Sequence, residues 1–212
     1  MNIVILGAPA SGKGTQAQLL SEKLNLFHFQ AGELSRSLAK RDERIREIVN
    51  SGGLIPEEEM TMYVLDYLEK LKPDFKNIIF EGFPRFISQY EALDNFLKVK
   101  NCRIDHVIVL EISEERAIER LSARRLCEKC GKVYNLLTNP PERENVCVCG
   151  GKLIQREDDK PELLRVRFRF YKKTTKKLVD YLEKKGILLR IDAARPIEII
   201  FEDILNKLKI EH

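Results

Sequence analysis

The chain has 212 residues, with 37 Lys and Arg against 33 Asp and Glu, a formal net charge of +4, and 43% hydrophobic and 33% charged residues. That balance excludes a disordered chain and fits one globular core with a small insertion. No apolar run nears the ~20 residues of a membrane span, and the opening strand is too short for a signal peptide, so the expectation is a cytoplasmic protein with no membrane partner. NIVIL at 2–6 is a continuous apolar run ending at a glycine, which predicts a buried parallel strand. A helix follows at about 13–24, with Ala17, Leu19, Leu20 and Leu24 inward. LFHF at 26–29 predicts a second strand, and 33–50 a helix broken near Lys40 and ended by Gly52 and Gly53. Residues 57–71 are helical again, opening after Pro56 with three glutamates that suit a positive helix N-terminus. NIIFEG at 77–82 is a third strand, 88–98 a helix, DHVIVLEI at 105–112 a fourth strand, and Glu114 to about Arg125 a helix.

From Leu126 to Arg156 the pattern stops, in a stretch with two prolines, three glycines and four of the five cysteines. It restarts at DDKPE, with Asp159 as N-cap, Pro161 in the first turn and Glu162 as the answering capping-box residue of a helix to about Lys185. ILLRID is a fifth strand and 196–209 a last amphipathic helix. Alternating strands and helices with short connections predict an α/β fold: a parallel five-stranded sheet with helices on both faces. The cysteine stretch is an appendage on it.

GAPASGKGT, from Gly7 to Thr15, matches G-x4-G-K, with Gly14 where Ser or Thr usually follows. Glycines let the backbone wrap so that successive N–H groups point at one phosphate; the helix beginning there adds its positive end, and Lys13 a point charge. The bland alternative is a glycine turn with a surface lysine, which the position between an apolar strand and a helix argues against.

Arginines separate a kinase from a switch. Arg36, Arg85, Arg120, Arg124, Arg156 and Arg167 stand near the ends of elements. A triphosphate and a monophosphate bring about six negative charges together, at ~2 per terminal phosphate, and the acceptor phosphate is already ionised near neutral pH. Transfer between them passes through a loose, charge-spread transition state that needs converging donors more than a base. The lack of a Ser-His-Asp set fits that chemistry. Any single one of these arginines is as readily a solvated surface residue. His28, His106 and His212 read as structural or exposed.

Cys127-x2-Cys130-x16-Cys147-x-Cys149 offers four thiolates, each pair followed by a glycine, Gly131 or Gly150. That set reads as a closed tetrahedral structural zinc site. A redox pair, a disulfide or a site with one ligand fewer are the alternatives. The single-residue spacer still lets both sulfurs share a face, since alternate residues of an extended segment do so. Cys102 reads as a packing residue.

GAPASGKGTQ, AGELSR, EGFPRFISQ, ERLSARRLCEKCGKVY, QREDD and RVRFRFY occur in the order and spacing of the adenylate kinases, and the chain resembles their long-lid, zinc-bearing form over essentially its whole length. The resemblance implies a P-loop core at 1–29, 61–121 and 159–212, a helical monophosphate-binding insertion at 30–60 and a lid at 122–158. It implies reversible ATP + AMP to 2 ADP with Mg²⁺, in adenine nucleotide homeostasis, by a monomer whose partners are ATP, AMP and ADP and not nucleic acid. Carried over by position, Ala10, Ser11, Gly12, Lys13, Gly14 and Thr15 hold the ATP phosphates, and Arg120, Arg124, Val133, Tyr134 and Arg195 lie against ATP. Ala31, Arg36, Gly53, Leu54, Ile55, Gly82, Phe83, Pro84, Arg85 and Gln89 line the AMP pocket, with Gln89 on the adenine edge. Arg156 and Arg167 span the transferred phosphate, so Lys13, Arg85, Arg124, Arg156 and Arg167 are the catalytic set. Cys127, Cys130, Cys147 and Cys149 hold Zn²⁺, a staple for a lid with little apolar sequence of its own.

The chain departs from the family pattern in places. Ala10 stands for a usual glycine, a modest change if its φ is negative. Ala31 stands for a usual threonine, and AGEL looks like the UMP/CMP kinases, whereas Gln89 argues for AMP. Glu81 stands where Asp is more frequent and could orient Mg²⁺ through water. The last cysteine pair lacks one spacer residue. Two rivals remain: a pyrimidine monophosphate kinase of the same fold, and a zinc-ribbon nucleic-acid-binding NTPase. The second would need a basic, aromatic-rich surface, and 126–156 holds one aromatic, Tyr134.

Overall fold

The computed structural model describes residues 1–72, 74–155, 159 and 161–210, with no side-chain description at 161 and 162. Arg156, the Pro161 and Glu162 side chains and His212 therefore lie outside the described residues.

Five parallel strands form the main sheet in the order β2-β3-β1-β4-β8: β1 (Asn2–Gly7), β2 (Phe27–Gln30), β3 (Ile78–Glu81), β4 (His106–Glu111) and β8 (Leu188–Asp192). Val4 and Leu6 of β1 pack on one face with Phe29, Phe80, Val107 and Val109. Ile3 and Ile5 pack on the other with Ile79, Ile108 and Leu110. Both sets are buried because alternate side chains leave opposite faces and each face carries helices; a continuous apolar run is the sequence form of that arrangement. The first face is covered by residues of α4 (Glu57–Leu71), α5 (Ile87–Val99) and α8 (Thr175–Lys184), the second by α1 (Lys13–Leu24) and α9 (Ile197–Lys207).

The topology itself points to a site. The connection from β1 leads to β2 at one edge, while that from β3 leads across β1 to β4. Adjacent strands whose connections part in opposite directions leave a crevice at their carboxyl ends, where ligands bind in open α/β sheets. The carboxyl end of β1 is Gly7 and that of β3 is Glu81, with Ile5 level with Glu81 across the pair.

The expected break in the 33–50 helix is present. α2 (Ala31–Ala39) is separated from α3 (Glu43–Asn50), and the Asp42 carboxylate caps α3 by accepting from the Ile45 N–H at 3.1 Å. Two helix expectations need correction. α6 (Glu114–Ser122) stops short of Arg125, because Arg124 begins a lid strand paired with Asn135 and the Ala123 carbonyl accepts from Leu136 N–H. The helix expected to Lys185 is two, α7 (Pro161–Lys173) and α8, broken at Thr174, whose hydroxyl donates to the Phe170 carbonyl. A β-branched residue that bonds back into the preceding turn weakens a helix at that point.

The lid is a three-stranded antiparallel sheet that the sequence pattern missed: β6 (Val133–Asn135), β5 (Arg124–Cys127) and β7 (Leu153–Ile154) in that spatial order. Among the described residues its buried cluster is Cys127, Tyr134, Cys147 and Leu153.

Candidate active site and metal centre

The loop after β1 wraps as the glycine pattern requires. Gly7 has φ +150°, and a Cβ there would meet the Ser11 hydroxyl at 2.5 Å and the Leu110 carbonyl at 2.6 Å. Gly12, with φ 90°, is the N-cap of α1 and supplies no side-chain cap, and the first turn holds no acidic residue. The first N–H groups of α1 are thus left for an anion, in the field of the positive helix end. Ala10 has φ 58°, so the condition for a harmless Gly-to-Ala change is not met. A methyl-bearing residue in the left-handed region costs roughly 1–2 kcal/mol. Ser11 is fully buried and its hydroxyl has no hydrogen-bond partner among the described residues.

Lys13 folds back over the loop, its ammonium donating to the carbonyls of Gly7 at 3.0 Å and Ala8 at 2.7 Å. Desolvation pulls its pKa from 10.5 to about 7; Glu81 opposes the shift, and Arg85, Arg167 and Arg124 add to it. Four cationic side chains therefore act on one another around the loop before any phosphate is bound. That is a site organised to receive negative charge.

The Glu81 carboxylate faces the same loop. A Cβ on Gly14 would lie 3.5 Å from both its oxygens. The usual P-loop Ser or Thr, whose hydroxyl goes to Mg²⁺, would grow from that Cβ. The carboxylate of Glu81 occupies the space which that side chain would fill. Burial alone would raise its pKa, but the hydrogen bond to His28 and the charge of Lys13 outweigh it and hold the group below the ordinary carboxylate range. His28 Nε2 lies 3.2 Å from Glu81 Oε2. An ionised, buried carboxylate at that position fits a Mg²⁺ site. His28 had read as structural or exposed, and no spacing in the sequence could have joined it to Glu81, since the contact arises from the pairing of β2 with β3.

Arg85 is drawn against the backbone, its Nε donating to the Gly82 carbonyl at 2.9 Å. Gly82, with φ +77°, sits so that a Cβ would lie 3.5 Å from Ala31 Cβ and from an Arg85 terminal nitrogen. Phe83 and Pro84 are buried beneath. Gln89 is 3% exposed, and its amide is fixed at both ends: the oxygen accepts from Arg85 N–H at 2.9 Å and the nitrogen donates to the Glu57 carbonyl at 3.1 Å. An amide has two donors and two acceptor sites, so one of each remains, in a fixed order. Arg36 lies over its own helix start, 3.2 Å from where a Gly32 Cβ would be. Gly53 N–H donates to the Ile48 carbonyl at 2.9 Å, Leu54 is half-buried and Ile55 buried, so 53–55 form a firm connection into α4.

On the lid side, the buried Asp159 carboxylate is held by two arginines; its expected role as the cap of α7 involves 160–162, which lie outside the described residues or side chains. The carboxylate, with 0% of the side chain exposed, accepts from Arg124 Nε at 2.6 Å and from Arg167 Nη1 at 2.9 Å, with a second bond to Arg124 Nη2. This ties the first lid strand to α7. The Arg167 stem also lies 3.5 Å from where a Gly52 Cβ would be, so the turn after α3 reaches α7 too. Arg195 bonds the Asp203 carboxylate and the Asp192 carbonyl, and Arg120 remains half-buried at the end of α6. Val133 is 47% exposed, whereas Tyr134 is buried against the cysteines, leaving only its backbone to meet a nucleotide.

The four lid sulfurs lie within 4.8 Å of one another, with Cys127–Cys149 at 3.5 Å and Cys130–Cys147 at 3.6 Å. A tetrahedron of ~2.3 Å Zn–S bonds has edges of ~3.8 Å. The set fits that ion, including both sulfurs of the shortened pair. All four are free thiols, so no disulfide competes. Cys147 is pulled down to about 6, by the Cys149 backbone N–H first and the Tyr134 hydroxyl second.

A family model described as adenylate kinase matches residues 5–187. The chain belongs to the adenylate kinase family. The adenylate kinase of Archaeoglobus fulgidus is 42% identical over 99% of this chain and 100% of its own length. That of Thermosipho africanus is 40% identical, covering 99% and 100%, and that of Caldicellulosiruptor bescii is 39% identical, covering both chains fully. The cysteine segment falls inside the matched span, so it is part of the kinase and not a ribbon module tethered to one.

Proposed function

We propose that this chain transfers the terminal phosphoryl group of ATP to AMP, reversibly, giving two ADP. The observation that carries the reading is the phosphate loop itself, with Lys13 folded over it and within electrostatic reach of Arg85, Arg124 and Arg167. An AMP phosphate oxygen attacks the terminal phosphorus, and the bond to the β–γ bridging oxygen breaks, leaving its electron pair on ADP. The acceptor enters already ionised, so no general base is needed. Lys13 and the N–H groups of 10–15 hold the donor phosphates. Arg36 and Arg85 hold the acceptor phosphate, with Ala31, residues 53–55 and 82–84 as the pocket wall. Arg124 and Arg167, steered by Asp159, take up charge as it spreads in the transition state. Arg156 joins them by resemblance, and Arg120, Val133, Tyr134 and Arg195 lie on the ATP side.

Mg²⁺, when bound with ATP, neutralises phosphate charge; Glu81 is the residue that would hold it through water. Zn²⁺ sits on Cys127, Cys130, Cys147 and Cys149 as a structural ion, letting the lid close as one body and exclude water. Reduced metal-binding thiols suit a cytoplasmic setting. Among the described residues no helix is long and apolar enough to cross a membrane.

The fixed amide of Gln89 favours adenine. Its remaining acceptor and donor match the N–H₂ and ring nitrogen of that base. Ala31 favours the pyrimidine reading, because the UMP/CMP kinases share AGEL. Coupled phosphotransfer from Mg·ATP to AMP, UMP, CMP and GMP in parallel decides it: AMP should have the highest kcat/KM, and a higher value for UMP or CMP overturns the assignment.

A further inference from the structure

The two cysteine pairs are built alike except for one residue. In each, the residue after the second cysteine closes the turn onto the carbonyl of the first: Gly131 N–H to Cys127 O at 3.0 Å, and Gly150 N–H to Cys147 O at 2.8 Å. The longer pair has the N–H groups of Glu128, Lys129 and Cys130 between its first sulfur and the turn-closing glycine, whereas the shorter has only those of Val148 and Cys149. Removing the spacer therefore removes one backbone donor, and the Val148 N–H is taken by a side chain.

A side chain stands where that donor is missing. The Tyr134 hydroxyl lies 3.4 Å from Cys147 Sγ, in a residue 4% exposed. Its oxygen accepts from Val148 N–H at 3.2 Å, which leaves its own proton for the sulfur. The path runs from a backbone N–H of the short pair, through the phenol, to the first sulfur of that pair. Lys132 Nζ lies 5.5 Å from the ring centroid and helps pin it.

We infer that Tyr134 is a positioning residue of the zinc site, its hydroxyl replacing the backbone donor lost from the shortened C-x-C pair. This rests on the zinc reading above. A thiolate that keeps two donors carries less free negative charge and holds its orientation; with one donor it exchanges more readily. Partners in the shell around metal ligands are typically worth 10–100-fold in metal affinity. Tyr134 also belongs to β6, a strand of the lid, so the same residue joins the metal to the sheet that closes over the nucleotide.

The experiment uses holoenzyme. Zinc content of the wild type is measured first, and a metal-free wild type overturns the zinc reading and this inference with it. Zinc release to a chromophoric chelator is then followed for wild type and Tyr134→Phe. Release 10–100-fold faster from the variant is expected. A merely structural effect is separated by cobalt substitution. Loss of a hydrogen bond to the sulfur moves the thiolate-to-cobalt charge-transfer band to lower energy, while loose packing alone leaves it in place. One bound zinc with an unshifted band, or with wild-type release, overturns the role of Tyr134 and leaves the zinc reading standing. If Tyr134→Phe does not hold metal at all, a glycine inserted between Val148 and Cys149 restores the C-x2-C donor. In that background the phenylalanine should be tolerated, and failure to rescue overturns the inference.

Discussion

His28 Nε2 stands 3.2 Å from Glu81 Oε2, both side chains largely withdrawn from solvent, Glu81 at the carboxyl end of β3 and His28 within the neighbouring β2. The carboxylate is caught between burial, which favours its neutral form, and the imidazole and Lys13, which favour the anion and prevail. Removing the imidazole weakens the winning side. His28→Ala is expected to raise the Mg²⁺ concentration for half-maximal activity by roughly 10-fold, the scale of lost outer-shell partners. It should leave kcat at saturating Mg²⁺ much closer to wild type. The sign of the acid response follows. A carboxyl held low in the folded state adds stability above its unfolded pKa, lost as pH falls through the folded one. The variant should lose activity at a higher pH on the acid side. Mg²⁺ titrations at several pH values check both.

Lys13 is held at about 7 in the free protein by burial among arginines. The slope has the same sign as that of Glu81, because both groups are held below their unfolded pKa values in the folded chain. Between about 7 and the unfolded value of 10.5 the unfolded chain binds the extra proton, so this group's contribution to stability rises with pH across that window. Phosphates entering the loop favour the ammonium form. Binding of ATP at pH 8, above the lowered pKa of Lys13, should therefore take up a proton at this site. Calorimetry in buffers of different ionisation enthalpy reads that uptake, and Lys13→Met should abolish it. Equal uptake by wild type and variant would assign the proton to another group.

Arg85 follows β3 and Arg167 lies on α7, so neither belongs to the sheet. Arg85→Ala and Arg167→Ala should each lower kcat by ~10³ or more with little change in Tm, by analogy with an arginine finger. A variant keeping over a tenth of wild-type kcat would put that residue outside the site. Asp159→Asn is a different case. It leaves Arg124 and Arg167 beside a buried neutral amide. Breaking a buried pair from one side costs about 3–5 kcal/mol, discounted here because the arginines keep some solvent contact. Both Tm and kcat should fall.

Ala10 at φ 58° is strained where glycine would not be. Ala10→Gly relieves roughly 1–2 kcal/mol but gives back ~0.4–1 kcal/mol through the freer unfolded chain. The net is a stabilisation of ~0.5–1 kcal/mol, or a Tm rise of ~1–4 °C at this chain length. A fall in Tm on thermal unfolding would contradict it.

The sheet was legible because a strand buried on both faces must be apolar throughout, and the P-loop because only glycine and a lysine satisfy its geometry. Other features depend on chain pairing or on shape, which local sequence does not carry. β7 is two residues long, and β5 carries two arginines, Arg124 and Arg125. No periodicity marks such strands; their pairing and the cysteines define them. Asp159 carried a helix-cap signal, but nothing local showed that its carboxylate would also meet Arg124, 35 residues away, and Arg167, eight residues away. The φ of Ala10 and the meeting of His28 with Glu81 likewise follow from the closed loop and the strand register.

The lid's dependence on metal follows from its size. Among the described residues its buried cluster contains two large side chains besides cysteines, Tyr134 and Leu153. Their burial contributes about 3–6 kcal/mol, whereas ordering each residue of the segment costs ~1–2 kcal/mol of backbone entropy. Structural zinc supplies roughly 10–16 kcal/mol in small zinc-dependent peptides, so an ion held by these four cysteines would decide whether the lid is folded. The core has its own sheet and should survive without it. Chelation should therefore produce a lid transition below the core transition in calorimetry, with activity lost alongside the lid because Arg124 opens its first strand. Gly151 gives the sharper test. A Cβ there would meet Cys127 Sγ at 2.6 Å and Lys129 Cβ at 2.8 Å. Gly151→Ala must push the two cysteine pairs apart, so it should lower zinc content and the lid transition together and leave core melting unchanged. Elemental analysis with thiol titration checks this: full zinc occupancy in Gly151→Ala, with no lid thiol more reactive than in wild type, would show that the close packing of the shortened pair is not what holds the metal.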